Sequence, residues 1–207
     1  MPKKSAGLLL YRQNAHSGTE VLLVHPGGPF WRNKDQGAWT IPKGEFDDED
    51  PLEAAKREFK EEIGSAPPDG QYIPLTPIKQ KNGKIVHAWA VEGDFDPARL
   101  NSNEFETEWP PKSGRMQKFR EIDRAEWFAP DVAKKKMLSG QGALVDELVR
   151  KLEYARLLIF GGGQLCTKRQ EERGQAHLPH PELIRVENVI APVNAFNGKQ
   201  SSKFRSL

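Results

Sequence analysis

The stretch from Asp50 to Gly64 constrains this chain more than any other. Asp50 is followed by Pro51 and, three residues on, by Glu53, which reads as an N-cap, a proline at the first helical position and a capping box. Gly64 ends the segment, so the spacing predicts a helix over Pro51–Ile63. Leu52, Ala55, Phe59 and Ile63 recur at spacings of three and four, an apolar stripe that has to dock on a sheet. At 100° per residue, Glu58, Glu61 and Glu62 fall within an arc of about 100° beside that stripe. Like charges at i and i+4, as with Glu58 and Glu62, cost an isolated helix roughly 0.2–0.5 kcal/mol. A bound cation would reverse the sign. Magnesium is the natural candidate, being a hard ion that takes one or two carboxylates together with water and substrate phosphate. The plainer reading of the same residues is a solvated face paired with Lys56 and Lys60.

The remaining sequence predicts the sheet on which that helix docks. Ala6–Tyr11 and Glu20–His25 are short aliphatic runs joined by a polar loop, the pattern of a hairpin. Further strands are expected at Tyr72–Leu75, Ile85–Val91 and Glu121–Phe128, with Lys81-Asn82-Gly83-Lys84 as a hairpin turn. Asp94–Arg115, rich in Asn, Glu, Pro and Trp and without periodicity, reads as a long surface loop able to shape a binding site. Phe30 and Trp31 sit in a glycine-rich loop, where they could stack on a base or lid the core. Asp131–Leu138 and Ala143–Ile159 read as helices, the second carrying Leu144, Leu148, Leu152 and Ala155 on one face. His25 and His87, in apolar strand contexts, read as structural histidines.

At 207 residues the chain suits one domain with an appendage. The expected division is a domain over 1–158 and a poorly ordered extension over 159–207. His177 and His180, in that extension, read as solvated. The 31 basic and 29 acidic residues nearly cancel, so charge gives no strong signal for nucleic acid or a membrane surface. Cys166 is the only cysteine, which excludes an intrachain disulfide and a cysteine-based zinc site and fits a reducing cytosol. The apolar run Ala6–Tyr11 is too short for a secretory signal, and no window approaches the roughly 20 apolar residues of a spanning helix. A cytoplasmic protein is expected.

The string from Gly44 to Gly64 resembles the Nudix box, G-x5-E-x7-R-E-U-x-E-E-x-G-U with U a bulky apolar residue. Counting from Glu49, seven residues lead to Arg57-Glu58, then Phe59, Lys60, Glu61-Glu62, Ile63 and Gly64. Trp39-Thr40-Ile41-Pro42-Lys43-Gly44 is similar to the strand and turn that lead into the box. Two departures stand out: only four residues separate Gly44 from Glu49, one fewer than the pattern, and Ser65 replaces the final apolar residue. The resemblance, to MutT-like Nudix hydrolases, covers Ala6 to about Tyr154. It implies an α/β class fold, an α/β/α sandwich around a mixed β-sheet, and a Mg2+- or Mn2+-dependent hydrolase cleaving the diphosphate linkage of a nucleotide-type substrate.

Carried over by position, the resemblance makes Glu58 and Glu62 principal metal ligands and Glu61 a further ligand or base. A backbone carbonyl at Lys43 or Gly44 would complete the shell. Arg57 would orient the carboxylates through a salt bridge to Glu49. One more acid is expected on a later strand, with Glu121 the candidate and Glu126 the fallback. Substrate contacts are expected from Lys43, Trp31 and Glu49, and Lys79, Lys81, Lys84, Arg115 and Lys118 are further candidates to grip phosphates. The form of Trp39–Gly44 leans toward the dinucleoside polyphosphate branch, although that branch's usual tyrosine after the box is replaced by Lys81, Asn82 and Gly83. A non-catalytic nucleotide-binding module and an RNA-processing protein of decapping type remain as alternatives.

Overall fold

The computed structural model describes residues 2–81 and 83–160, and residues 161–207, with Cys166, His177 and His180, lie outside the described residues. The chain divides into two units, Met1–Tyr154 and Ala155–Leu207. The first unit holds strands β1 (Lys4–Asn14), β2 (Gly18–Pro26) and β3 (Lys43–Glu45), then helix α1 (Pro51–Ile63). Strands β4 (Ile73–Lys79) and β5 (Ile85–Glu92) follow, then a single 3-10 turn at Pro97–Arg99. β6 (Glu104–Glu108), β7 (Met116–Arg120), β8 (Ile122–Phe128), α2 (Pro130–Lys136) and α3 (Gly142–Phe160) complete the described chain, α3 running into the second unit.

The main sheet has the order β4-β5-β1-β2-β8. β1 runs parallel to β5 and antiparallel to β2, so the sheet is mixed. The edge of β1 away from β5 is shared: Ser5–Gly7 pair with β3, and Tyr11–Asn14 pair with β2. Ser5–Tyr11 are buried without interruption because both faces of this central strand are covered. Ala6, Leu8 and Leu10 point to one side, where Ala54, Ala55, Phe59 and Ile63 of α1 pack on them. Leu9 and Tyr11 point to the other, against Trp39, Ile41, Met137 and the Ala133, Leu144, Val145 and Leu148 side chains of α2 and α3. The layers are helix, mixed sheet and helix, as the resemblance implied. Among the described residues, no helix is long and apolar enough to cross a membrane.

Helix α1 has the expected bounds, but its N-terminus is closed differently. The Asp50 carboxylate accepts from the Leu52 and Glu53 amides at 2.9 and 3.1 Å. The Glu53 side chain does not reach back to complete a capping box; it takes Lys56 Nζ at 2.7 Å instead. An ammonium three residues along the same face competes successfully with one amide that water can reach. Asp50→Ala is therefore expected to lower stability by about 1 kcal/mol, and Glu53→Ala by no more than about 0.5 kcal/mol; urea melts of the two variants read the difference. At the other end Gly64 takes φ 80°, the left-handed turn that donates its N–H to the Lys60 carbonyl.

Asp94–Arg115 is not the long irregular loop that its composition suggests. Glu104–Glu108 and Met116–Arg120 form a two-stranded antiparallel ribbon outside the main sheet. Its alternation is hidden in a charged sequence: Phe105 and Phe119 face each other across one side, while Glu104 and Glu106 sit opposite Arg120 and Lys118. The apolar side is only two or three residues long, too little for a periodic signal, and it is completed by Gly28 from a distant loop, where an added Cβ would lie 3.0 Å from the Phe105 ring. β8 begins at Ile122, so Glu121 precedes the strand rather than opening it. β4 and β5 pair antiparallel as expected, with the Gln80 N–H donating to the Lys84 carbonyl at 2.9 Å.

Candidate active site

The acidic residues of α1 meet the short strand β3. Glu62 accepts the Lys43 amide N–H on Oε2 at 3.1 Å. One turn earlier, the Glu58 carboxylate lies against Gly44: a Cβ on residue 44 would stand 1.7 Å from Glu58 Oε2. Only glycine leaves room for that carboxylate. Two glutamates i and i+4 apart are thus held side by side along one strand.

Arg57 organises the flank of this pair. Its guanidinium bonds Glu49 at 2.5 Å, Glu58 at 2.6 Å and Glu61 at 3.3 Å. The Glu49 pairing follows the resemblance despite the shortened loop before it. The planar fork with its several donors allows one cation to serve three carboxylates, which an ammonium could not do with the same geometry. These bonds push the Arg57 pKa up, Glu49 contributing most.

Burial raises the proton affinity of both principal carboxylates. The Glu62 carboxyl is pushed up to about 8 by burial, against the pull of Lys43, and the charges of Glu58 and Glu121 add to the rise. Glu58 is raised by burial in spite of Arg57, again with Glu121 contributing. Glu121, the residue before β8, thus bears electrostatically on both members of the pair. Burial draws the Lys43 ammonium down, opposed chiefly by Glu62.

The structure thus brings together Glu58, Glu61, Glu62, Arg57, Glu49, Lys43, Gly44 and Glu121. Lys84 is committed to Glu45 at 2.6 Å, and Lys118 faces Glu106. Trp31 packs against the core with the Lys34 ammonium 4.6 Å above its ring, which favours the lid over the base-stacking reading. Phe30 is the exposed member of that pair and touches Trp109 edge-on. His25 is fully buried between Asp123 and the Lys34 carbonyl, a structural role. His87 lies edge-on to Phe46, its pKa lowered by burial.

Two features carry weight here that sequence reasoning missed. Gly27 and Ser102 fix the backbone at Glu121, but each lies in an irregular stretch with no motif to mark it. Among the described residues, no three His, Cys, Asp or Glu side chains converge as a ready-made metal cage. The donor set nonetheless suits a hard divalent ion: two desolvated carboxylates side by side, the charge of a third acid reaching both, and a glycine that leaves room for one of them.

The family model of the NUDIX domain matches residues 1–148. No curated protein matches the sequence. Among solved structures, an Ap4A hydrolase from C. elegans is 25% identical, the match covering 73% of this chain and 98% of that one at a TM-score of 0.48. The NUDIX domain of Shewanella oneidensis NrtR, solved with ADP ribose, is 15% identical over 73% of this chain and 89% of that one, with a TM-score of 0.50. A MutT/nudix family protein from Enterococcus faecalis is 16% identical over 77% and 63%, at 0.49. With the box in register on α1 and the family model matching residues 1–148, the chain belongs to the Nudix family.

Proposed function

We propose that the chain hydrolyses the diphosphate linkage of a nucleoside diphosphate joined to another moiety, with Mg2+ or Mn2+ held by Glu58 and Glu62. The observation that carries this reading is the side-by-side seating of those two carboxylates on β3, at a glycine that a side chain would fill. Bound there, the ion would neutralise diphosphate oxygens and lower the pKa of a water. The chain's own groups divide the remaining work. Glu61 is the most solvent-accessible carboxylate of the three on α1 and its contacts to Arg57 are long, so it is placed to accept a proton from water. Arg57 holds Glu58 in its rotamer and balances the acidic charge. Lys43, whose ammonium feels the charge of Glu62, is the cation we assign to a phosphate oxygen. Glu121 adds the charge of a further acid, which reaches both Glu58 and Glu62.

Dinucleoside polyphosphates and nucleoside triphosphates are the substrates to try first, on the form of Trp39–Gly44, and residues 1–158 are taken to contain the activity. The second reading, a nucleotide-binding module, draws on the Arg57 guanidinium already bridging Glu58 and Glu61. A hydrolysis screen of both substrate classes and of nucleotide sugars, with Mg2+ or Mn2+, separates the two. The wild-type chain is expected to release a nucleoside phosphate, and Glu61→Gln to lower kcat by roughly 10²–10⁴-fold. Nucleotide binding without turnover across the whole screen would establish the binding module instead.

A further inference from the structure

The segment between β5 and β8 connects the acidic helix to Glu121 through backbone contacts. The Asn101 N–H donates to the Ile63 carbonyl at 3.1 Å. Gly64 lies so close that a Cβ there would stand 2.3 Å from the Asn101 carbonyl oxygen. The segment is therefore seated on the C-terminal end of the helix that carries Glu58, Glu61 and Glu62. The next residue, Ser102, is buried, and its Oγ accepts the Ile122 N–H at 2.9 Å while donating to the Asn103 carbonyl at 3.0 Å. That same carbonyl accepts the Glu121 N–H at 2.8 Å. The Glu121 carbonyl in turn accepts the Gly27 N–H at 2.8 Å.

Both backbone groups of Glu121 are thus bonded, one to each side, and its neighbour Ile122 is tied to Ser102. Gly27 permits this only because it has no side chain. A Cβ at residue 27 would lie 2.0 Å from the Arg120 carbonyl oxygen, a backbone atom that can retreat only by moving Arg120 and Glu121. The Glu121 carboxylate makes no hydrogen bond or ion pair with another described residue, yet its charge reaches both Glu58 and Glu62. Three like charges would drift apart if side-chain freedom decided the matter. The bonded backbone fixes the point from which the third side chain reaches the pair.

We propose that Gly27 and Ser102 are positioning residues that set Glu121 toward Glu58 and Glu62, adding a third acid to the pair on α1. The inference rests on the hydrolase reading above and extends it to residues outside the box. Neither residue need touch substrate or ion. Each acts through the backbone of Glu121.

A double-mutant cycle in the full chain tests this, read by Mn2+ affinity in calorimetry and by kcat and KM on whichever substrate the screen identifies. Gly27→Ala is expected to weaken Mn2+ binding about tenfold and to lower kcat roughly 10–100-fold. KM should change by less than about threefold. In a Glu121→Gln background the same substitution is expected to alter affinity and kcat by less than about twofold, since the group it positions is already disabled. Ser102→Ala should reproduce the loss and Ser102→Thr, which keeps the acceptor oxygen, should restore most of it. If Gly27→Ala does not fold, the two Ser102 variants carry the cycle. Equal losses with and without the Glu121 carboxylate would overturn the proposal. A wild-type chain that binds Mn2+ with this coupling but cleaves nothing would remove the hydrolase reading and leave the positioning intact. One that binds no Mn2+ would remove both.

Discussion

Glu62→Gln is expected to make the metal-free protein more stable at pH 8 and to leave it nearly inactive. Glu62 titrates near 8 in the folded chain against an ordinary value of 4.5, because burial disfavours its charged form. The folded state therefore binds this proton more tightly than the unfolded chain does. The group costs no stability below the ordinary value, costs progressively more as pH rises from there, and reaches its full penalty above about 8. At about 1.4 kcal/mol per unit, even a third of the shift amounts to more than about 1 kcal/mol. Removing the charge then raises Tm by at least roughly 2–4 °C for a domain of this size. The amide keeps an oxygen for the Lys43 N–H, so the packing survives.

At pH 4.5 the two proteins should melt together, and Mg2+ at pH 8 should raise Tm for the wild type more than for the variant. Turnover is expected to fall by roughly 10²–10³-fold, the loss typical of a charge-stabilising group at a reacting centre. Calorimetry across pH together with steady-state kinetics checks both halves. Wild-type turnover in the variant would reject Glu62 as a metal ligand.

Gly44→Ala should separate activity from stability in a different way. The new methyl would occupy the place of the Glu58 carboxylate, 1.7 Å from Oε2 and 2.0 Å from Cδ. The obstructed atoms are the far end of a flexible side chain, so Glu58 can swing away and β3 can keep its pairing with β1. Tm is expected to fall by no more than roughly 2–4 °C, the equivalent of about 1 kcal/mol. kcat is expected to fall roughly 10²-fold, as misplacement by about an ångström commonly does. Unchanged activity would mean that Glu58 is not required where it stands. A melting temperature lowered as sharply as the rate would mean that the residue serves the fold instead.

Much of the scaffold around this site was legible in the chain. α1 could be bounded to the residue because its start, its stripe and its stop are local features that do not wait on packing. The hairpin of β1 and β2 was equally plain, since two aliphatic runs have few ways to bury themselves across a short polar loop. The capping box failed because the choice between an amide and an ammonium for Glu53 is made by small differences in geometry. The β6–β7 ribbon was missed for another reason. Its few apolar residues acquire a partner only when Gly28, remote in sequence, comes to lie against Phe105. Glu121 was chosen by resemblance, and the residues that fix it were not marked by any pattern.

The amino-acid order by itself determined a capped amphipathic helix with Glu58, Glu61 and Glu62 on one edge, because helical periodicity is set by the backbone. Only the tertiary structure decided what each of those carboxylates meets. Glu62 finds an amide 19 residues back in the chain, Glu58 a glycine on the same strand, and the charge of Glu121 reaches both from the residue before β8. Those choices depend on how strands and helix are brought together in space, where burial and neighbouring charge, rather than spacing along the chain, govern a carboxylate's chemistry.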